Sequence, residues 1–134
     1  MEIDEALTTH LLAHAGLTAL IAGRFFHDEM PQGTALPAVV CINVSDVKDH
    51  THQGQVTLES PVYQFTAYAE TKGAAKAVAA QIKAALSDYT GTMSGLAVKY
   101  IKLLNELSTL DASADGLVKV YTTDLEYEIN YETE

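Results

Sequence analysis

Five histidines and one cysteine are the residues of this 134-residue chain best suited to metal binding or nucleophilic chemistry. His10 and His14 stand four apart. On a helix that spacing can place two imidazoles on one metal ion. The pair lacks the intervening acid of a zinc-protease motif, and no third ligand is apparent. Packing is therefore the favoured reading: His10 at the edge of an apolar stripe, His14 near a helix end where a cation is favoured. His50 and His52 share the polar stretch DVKDHTHQG with Asp46 and Asp49. Such a cluster could hold a metal weakly or respond to pH, but a solvated loop tip accounts for the same residues. Cys41 lies in the apolar run VVCIN and reads as a buried, inert thiol. A reactive thiol needs an electropositive, exposed setting. A lone cysteine makes no internal disulfide and suits a reducing compartment. No nucleophile elbow, phosphate-cradling loop or Gly-x-Gly-x-x-Gly occurs. The expectation is no catalytic residue, no metal ligand set and no cofactor.

The elements that would position these residues follow from periodicity. Ile3, Leu7 and Leu11 recur at i, i+4 and i+8, which predicts a first helix. Asp4 and Glu5 suit its first turn, and Gly16 is expected to end it. Leu17 to Ala22 predicts a short second helical turn, stopped by Gly23, and Arg24 to Phe26 look extended. Residues 27 to 37 hold Pro31, Gly33 and Pro37 and read as a loop. Ala38 to Val44 reads as a strand. Asp46 to Gly54 reads as an exposed turn or hairpin tip. Gln55 to Ala69 is strand-like, with a change of phase near Pro61 that predicts a bulge or bend. Thr71 to Tyr89 is the best helix, with Val78, Ile82, Ala85, Leu86 and Tyr89 on one stripe and Thr71 as N-cap. Leu96 to Leu107 and Leu117 to Tyr131 read as strands around a polar turn, Ser108 to Gly116. The expected fold is a single α+β domain over residues 1–134. Its sheet would be mostly antiparallel, with about four or more strands, under an N-terminal helix and a long central helix.

Charge narrows the partners. Eight basic against eighteen acidic residues give −10, and Arg24 is the one arginine. Such a surface cannot grip phosphates, so nucleic-acid reading is disfavoured, as is attachment to anionic lipid. No apolar run is long enough for a membrane span. Met1 is followed by Glu2 and Asp4, so no secretory leader is expected. Lys72, Lys76 and Lys83 fall along one edge of the long helix, about 100° from the middle of its apolar stripe. Asp124, Glu126 and Glu128 share the polar parity of the last strand, opposite Leu125, Tyr127, Ile129 and Tyr131. A head-to-tail ring needs two different complementary patches, and these two qualify; two unrelated solvated faces are the plainer account.

The order of these strings resembles a known family. EALTTHLLAHAGLTALIAGRFF, followed by MPQGTALPAVV, is similar to the start of tail completion proteins of long-tailed bacteriophages. VYQFTAYAETKGAAKAVAAQIKAAL resembles that family's strand-into-helix segment, and KVYTTDLEYEINY its closing strand. The resemblance implies an α+β fold without catalytic activity. It implies a virion protein, present in the host cytoplasm during assembly, that completes the head-proximal end of the tail as a ring, typically of six copies. Its implied partners are further copies of itself, the tail tube protein and the head connector or stopper, with DNA passing through the ring unbound. By position, Asp46, Lys48, Asp49, His50 and His52 become candidate assembly contacts beside the lysine line and the acidic strand face. An acidic lumen would repel passing DNA. Two other readings stay open: another neck protein (connector or stopper), and a small cytosolic ligand-binding domain.

Overall fold

The computed structural model describes residues 3–28, 36–51, 54–87, 89–93, 95–112 and 119–132. Helices α1 (Ile3–Leu12) and α2 (Ala15–Ile21) precede strands β1 (Phe25–His27), β2 (Ala38–Thr51) and β3 (Gly54–Ala69). Helix α3 (Lys72–Leu86) follows, then β4 (Gly91–Met93), β5 (Leu96–Ala112) and β6 (Lys119–Glu132). The six strands form one curled, mixed sheet in the order β1-β2-β3-β6-β5-β4. The fold is α+β, with three differences from expectation. The described residues form three helices where two were expected on the sheet, the short turn expected at Leu17 to Ala22 being the full helix α2. The β1–β2 pair is parallel, because β1 returns through a connection to lie beside the start of β2. The other pairings are antiparallel. Both polar stretches expected as turns are largely strand: residues 46–51 lie in β2 and 108–112 in β5. Backbone pairing across each hairpin outweighs the turn preference of their Asp, Ser and Thr side chains.

All three helices pack on one face of the sheet. Ile3, Ala6, Leu7 and Leu11 form the buried stripe of α1. Leu17 and Ile21 add α2. Ala75, Val78, Ala79, Ile82, Ala85 and Leu86 bury the inner side of α3. They meet Val39, Cys41, Phe65, Ala67, Leu125, Tyr127 and Ile129 from the sheet. Phe65 and Tyr127 pack edge to face with centroids 6.2 Å apart. The Tyr127 hydroxyl reaches Ser87 Oγ at 3.2 Å, so its polar end is satisfied inside the core.

Helix boundaries are set by local contacts. Thr71 Oγ1 accepts from the Ala74 amide at 3.1 Å and starts α3 as expected. The helix stops at Leu86 rather than Tyr89, with Ser87 extended at its C-cap. Gly16 does not end α1; it lies inside α2. A Cβ at Gly16 would overlap only the side-chain amide at the flexible end of Gln81. Ala22, in the left-handed region, closes α2 with its amide on Thr18 O.

The expected irregularity near Pro61 sits one strand over. Register shifts between Asn43 and Ser45, so Val44 is the extra residue on β2. A second shift sets Asp49 against residues 56–58. Between β3 and β6 the register is constant, but Ser60 and Pro61 have no ladder partner. Proline has no amide hydrogen to give. There the buried Asn130 amide donates to Ser60 Oγ at 2.7 Å, bridging the gap with side chains. On β5, Lys99 and Leu104 are the extra residues.

Truncating Ile82, wholly buried on α3, to alanine should cost about 2–5 kcal/mol in urea unfolding. Thr71→Ala should cost only about 1 kcal/mol, since it removes a cap and opens no cavity.

Candidate assembly surface

Three of the residues first considered for chemistry, His10, His14 and His27, hold elements together. His10 Nε2 donates to Ala85 O at 2.9 Å, and its ring stands edge-on to Tyr89, centroids 4.6 Å apart. His14 begins α2 rather than ending α1, and its Nε2 donates to Gln81 Oε1 at 3.0 Å. The two imidazoles thus bind different turns of α3 and share nothing. His27 Nε2 lies 2.8 Å from Thr8 Oγ1, whose own hydrogen goes to Asp4 O. His27 is therefore the donor there, and it ties β1 to α1. Among the described residues, no group of three His, Cys, Asp or Glu side chains is placed to hold a metal. Arg24 donates from Nε to Pro37 O at 2.9 Å, while its carbonyl accepts from Val39 N at 2.9 Å. The single arginine closes the connection between β1 and β2.

Cys41 is buried as expected. Burial first, then the charges of Asp4 and Asp28, push its thiol up to about 12. Burial also raises the Tyr127 phenol, with the Ser87 hydrogen bond working against it.

The candidate contact residues fall on three parts of the fold. Asp46, Lys48, Asp49 and His50 lie along β2, with Asp46 opposite Pro61, Lys48 opposite Glu59 and His50 opposite Gln55. They belong to a strand arm and not to a loop. His52 lies outside the described residues. Lys72 and Lys76 are exposed on α3. Lys83 is not equivalent to them: its Nζ pairs with Glu106 Oε1 of β5 at 2.9 Å. Sequence spacing could not reveal that partner, which is brought in by the β5–β6 pairing.

Asp124, Glu126 and Glu128 lie on the sheet face away from the helices, on a central strand between β3 and β5. All three are half-buried. Asp124 accepts from Thr66 Oγ1 at 2.7 Å, and Thr66 in turn accepts from Gln64 Nε2 at 3.1 Å. Tyr100 OH donates to Glu128 Oε2 at 3.4 Å. The acidic strip and the lysines therefore occupy opposite faces of the sheet and never meet within one chain. Sequence reading missed Leu104, Leu107 and Leu110, large apolar side chains left exposed on β5. Their spacing of three within a strand was the available signal, since it breaks the alternation of a one-sided strand.

Comparison with known proteins decides the family. Residues 5–132 match the family described as tail completion protein gp17. The chain belongs to the tail completion family. Membership makes it a structural protein of the phage tail or neck. No curated protein matches it. Among solved structures, a chain titled "Virion of native gene transfer agent (GTA) particle" matches with a TM-score of 0.71 at 18% identity. The match covers 94% of this chain and 91% of that one. At that identity the likeness is one of fold, and it spans helices and sheet alike.

The thiol shift fixes a sign for a tail completion protein's alkaline stability. The folded Cys41 keeps its proton above its ordinary value of 9.0, whereas the unfolded one loses it. Stability should therefore fall as pH rises from about 9 towards 12, by up to about 1.4 kcal/mol per pH unit from this group. Urea titrations of the wild type and Cys41→Ala should diverge in slope over that window.

Proposed function

We propose that this chain assembles into a ring of six copies that completes the head-proximal end of a phage tail and joins it to the head connector or stopper. The family match over residues 5–132 carries the reading. The protein acts by surface complementarity rather than catalysis, in contact with its own copies, the tail tube and the connector. It works in the virion and assembles in the host cytoplasm.

The acidic strip supports a second part of the proposal. Asp124, Glu126 and Glu128 lie on the face away from the described helices, with Lys102 the lysine directly opposite Glu128. Turned to the lumen, that face repels the phosphates of passing DNA and keeps it from sticking. Contacts between copies draw on the strand arm carrying Asp46, Lys48, Asp49 and His50, on His52 beyond it, and on Lys72 and Lys76. Copies of a chain with charge −10 repel one another, so exposed ammonium groups at a contact offset part of that repulsion. Lys83 contributes less, because Glu106 already neutralises it.

Electron microscopy and native mass spectrometry at high protein concentration test the ring. Six-membered rings are expected; a tight dimer, with no ring even beside tail tubes, overturns the reading. Lys72→Glu with Lys76→Glu should weaken assembly at least about tenfold and leave the monomer folded, since both side chains are exposed. Lys83→Glu should instead cost up to about 1 kcal/mol of monomer stability, the worth of a half-exposed ion pair.

A further inference from the structure

We propose that neighbouring copies join through their sheets, with the outer edge of β5 in one copy pairing antiparallel to the outer edge of β2 in the next. The inference rests on the ring reading above and names its contact.

Among the described residues, both edges are open over most of their length. β4 pairs with β5 only from Leu96 to Val98. Among the described residues, no strand lies beside β5 from Lys99 to Ala112. At the other side of the sheet, β1 pairs with β2 only from Val39 to Cys41. Beyond that stub, residues 42–51 of β2 have no described strand outside them. Long open edges invite strand addition, and isolated domains blunt them with charge, proline or a covering loop. β5 carries exposed Lys99, Lys102 and Glu106 and two bulges, yet it also leaves Leu104, Leu107 and Leu110 each about half exposed. Val44 is likewise exposed on β2. A groove of about 630 Å³ runs along Lys99 to Leu103, walled by Ser87, Tyr89 and Thr90. It lies where a neighbouring strand would add.

The occupant is a second copy because the two edges fit each other. Successive antiparallel pairings through β3 and β6 leave β5 running opposite to β2. A copy rotated about an axis near the strand direction therefore meets β5 with β2 antiparallel, and the acidic faces of both copies stay on one side. The stubs set the offset. Following the register across the sheet, Val98 lies level with Lys48, and Glu106 to Ser108 lie level with Cys41 to Val39. So β4 blocks one end of one edge and β1 the opposite end of the other. Unshifted pairing is obstructed, whereas a copy displaced along the strands brings open stretch against open stretch. Strands in a closed sheet tilt by roughly 35–45°, which supplies such a displacement at every contact around a ring. A two-fold β5–β5 contact would close a dimer and leave β2 open.

Hydrogen exchange on wild-type monomers and on rings isolated at high concentration tests the pairing. In rings, amides of both 99–112 and 42–51 should exchange at least about tenfold more slowly than in monomers. Leu104→Lys with Leu107→Lys should keep the monomer's circular dichroism and Tm, and should raise the concentration needed for rings at least about tenfold. Rings in which only one edge, or neither, slows would overturn the pairing and leave the ring reading intact. A double variant that assembles like wild type would do the same. A dimer with β5 alone protected assigns the two-fold contact instead. Wild-type protein that makes no ring under any condition overturns the ring reading and the pairing with it.

Discussion

The helix layer is shorter than the sheet it covers, and much of the molecule follows from that mismatch. At 1.5 Å per residue the 15 residues of α3 span about 22 Å. At about 3.3 Å per residue the 16 residues of β3 span about 53 Å. One helical rod cannot bury one face of such strands along their whole length. The core therefore forms where α1, α2 and α3 sit over the middle of the sheet, around Phe65, Leu125 and Tyr127. The hairpins β2–β3 and β5–β6 run on past it. A sheet of this reach in a chain of 134 residues suits a part that meets neighbours along its arms.

Polar side chains then fix the helix layer to that core. His10, His14 and Gln81 join α1 and α2 to α3, while Thr8 and His27 join α1 to β1. Arg24 holds the start of β1 to the residue before β2. These groups had the composition of a metal or catalytic set. Each is instead committed to structural partners, because the layers pack closely enough to bring a carbonyl, amide or hydroxyl oxygen to every ring nitrogen bonded here. Charge is divided between the faces in the same way. The sheet's uncovered face carries the half-buried carboxylates, Asp124 held by Thr66 and Glu128 by Tyr100 with Lys102 opposite it, and the helix layer carries exposed Lys72 and Lys76.

Much of the helix layer was legible in the chain. The 3.6-residue recurrence of Ile3, Leu7 and Leu11, and of Val78, Ile82 and Leu86, marks buried faces because a helix repeats its contacts at that period. Thr71 marked a start because its hydroxyl satisfies an amide that the helix leaves free. The alternation of Leu125, Tyr127, Ile129 and Tyr131 against Asp124, Glu126 and Glu128 fixed which side of β6 meets the core. The assembly surface was legible only as a charge pattern. Asp46 to His50 read as a loop because polar residues favour turns locally, and no local rule shows that a partner strand will pair them.

The sequence by itself determined the net charge of −10, the apolar stripes, the α+β class and the resemblance to tail completion proteins, since each depends on residue type and nearby spacing. The tertiary structure decided the rest. It made β1 parallel to β2, paired Lys83 with Glu106, separated the acidic strip from the lysines of α3 and, among the described residues, left two sheet edges open. Those features join residues far apart in the chain. Their energies come from backbone pairing and layer packing, which exist only once distant segments have met.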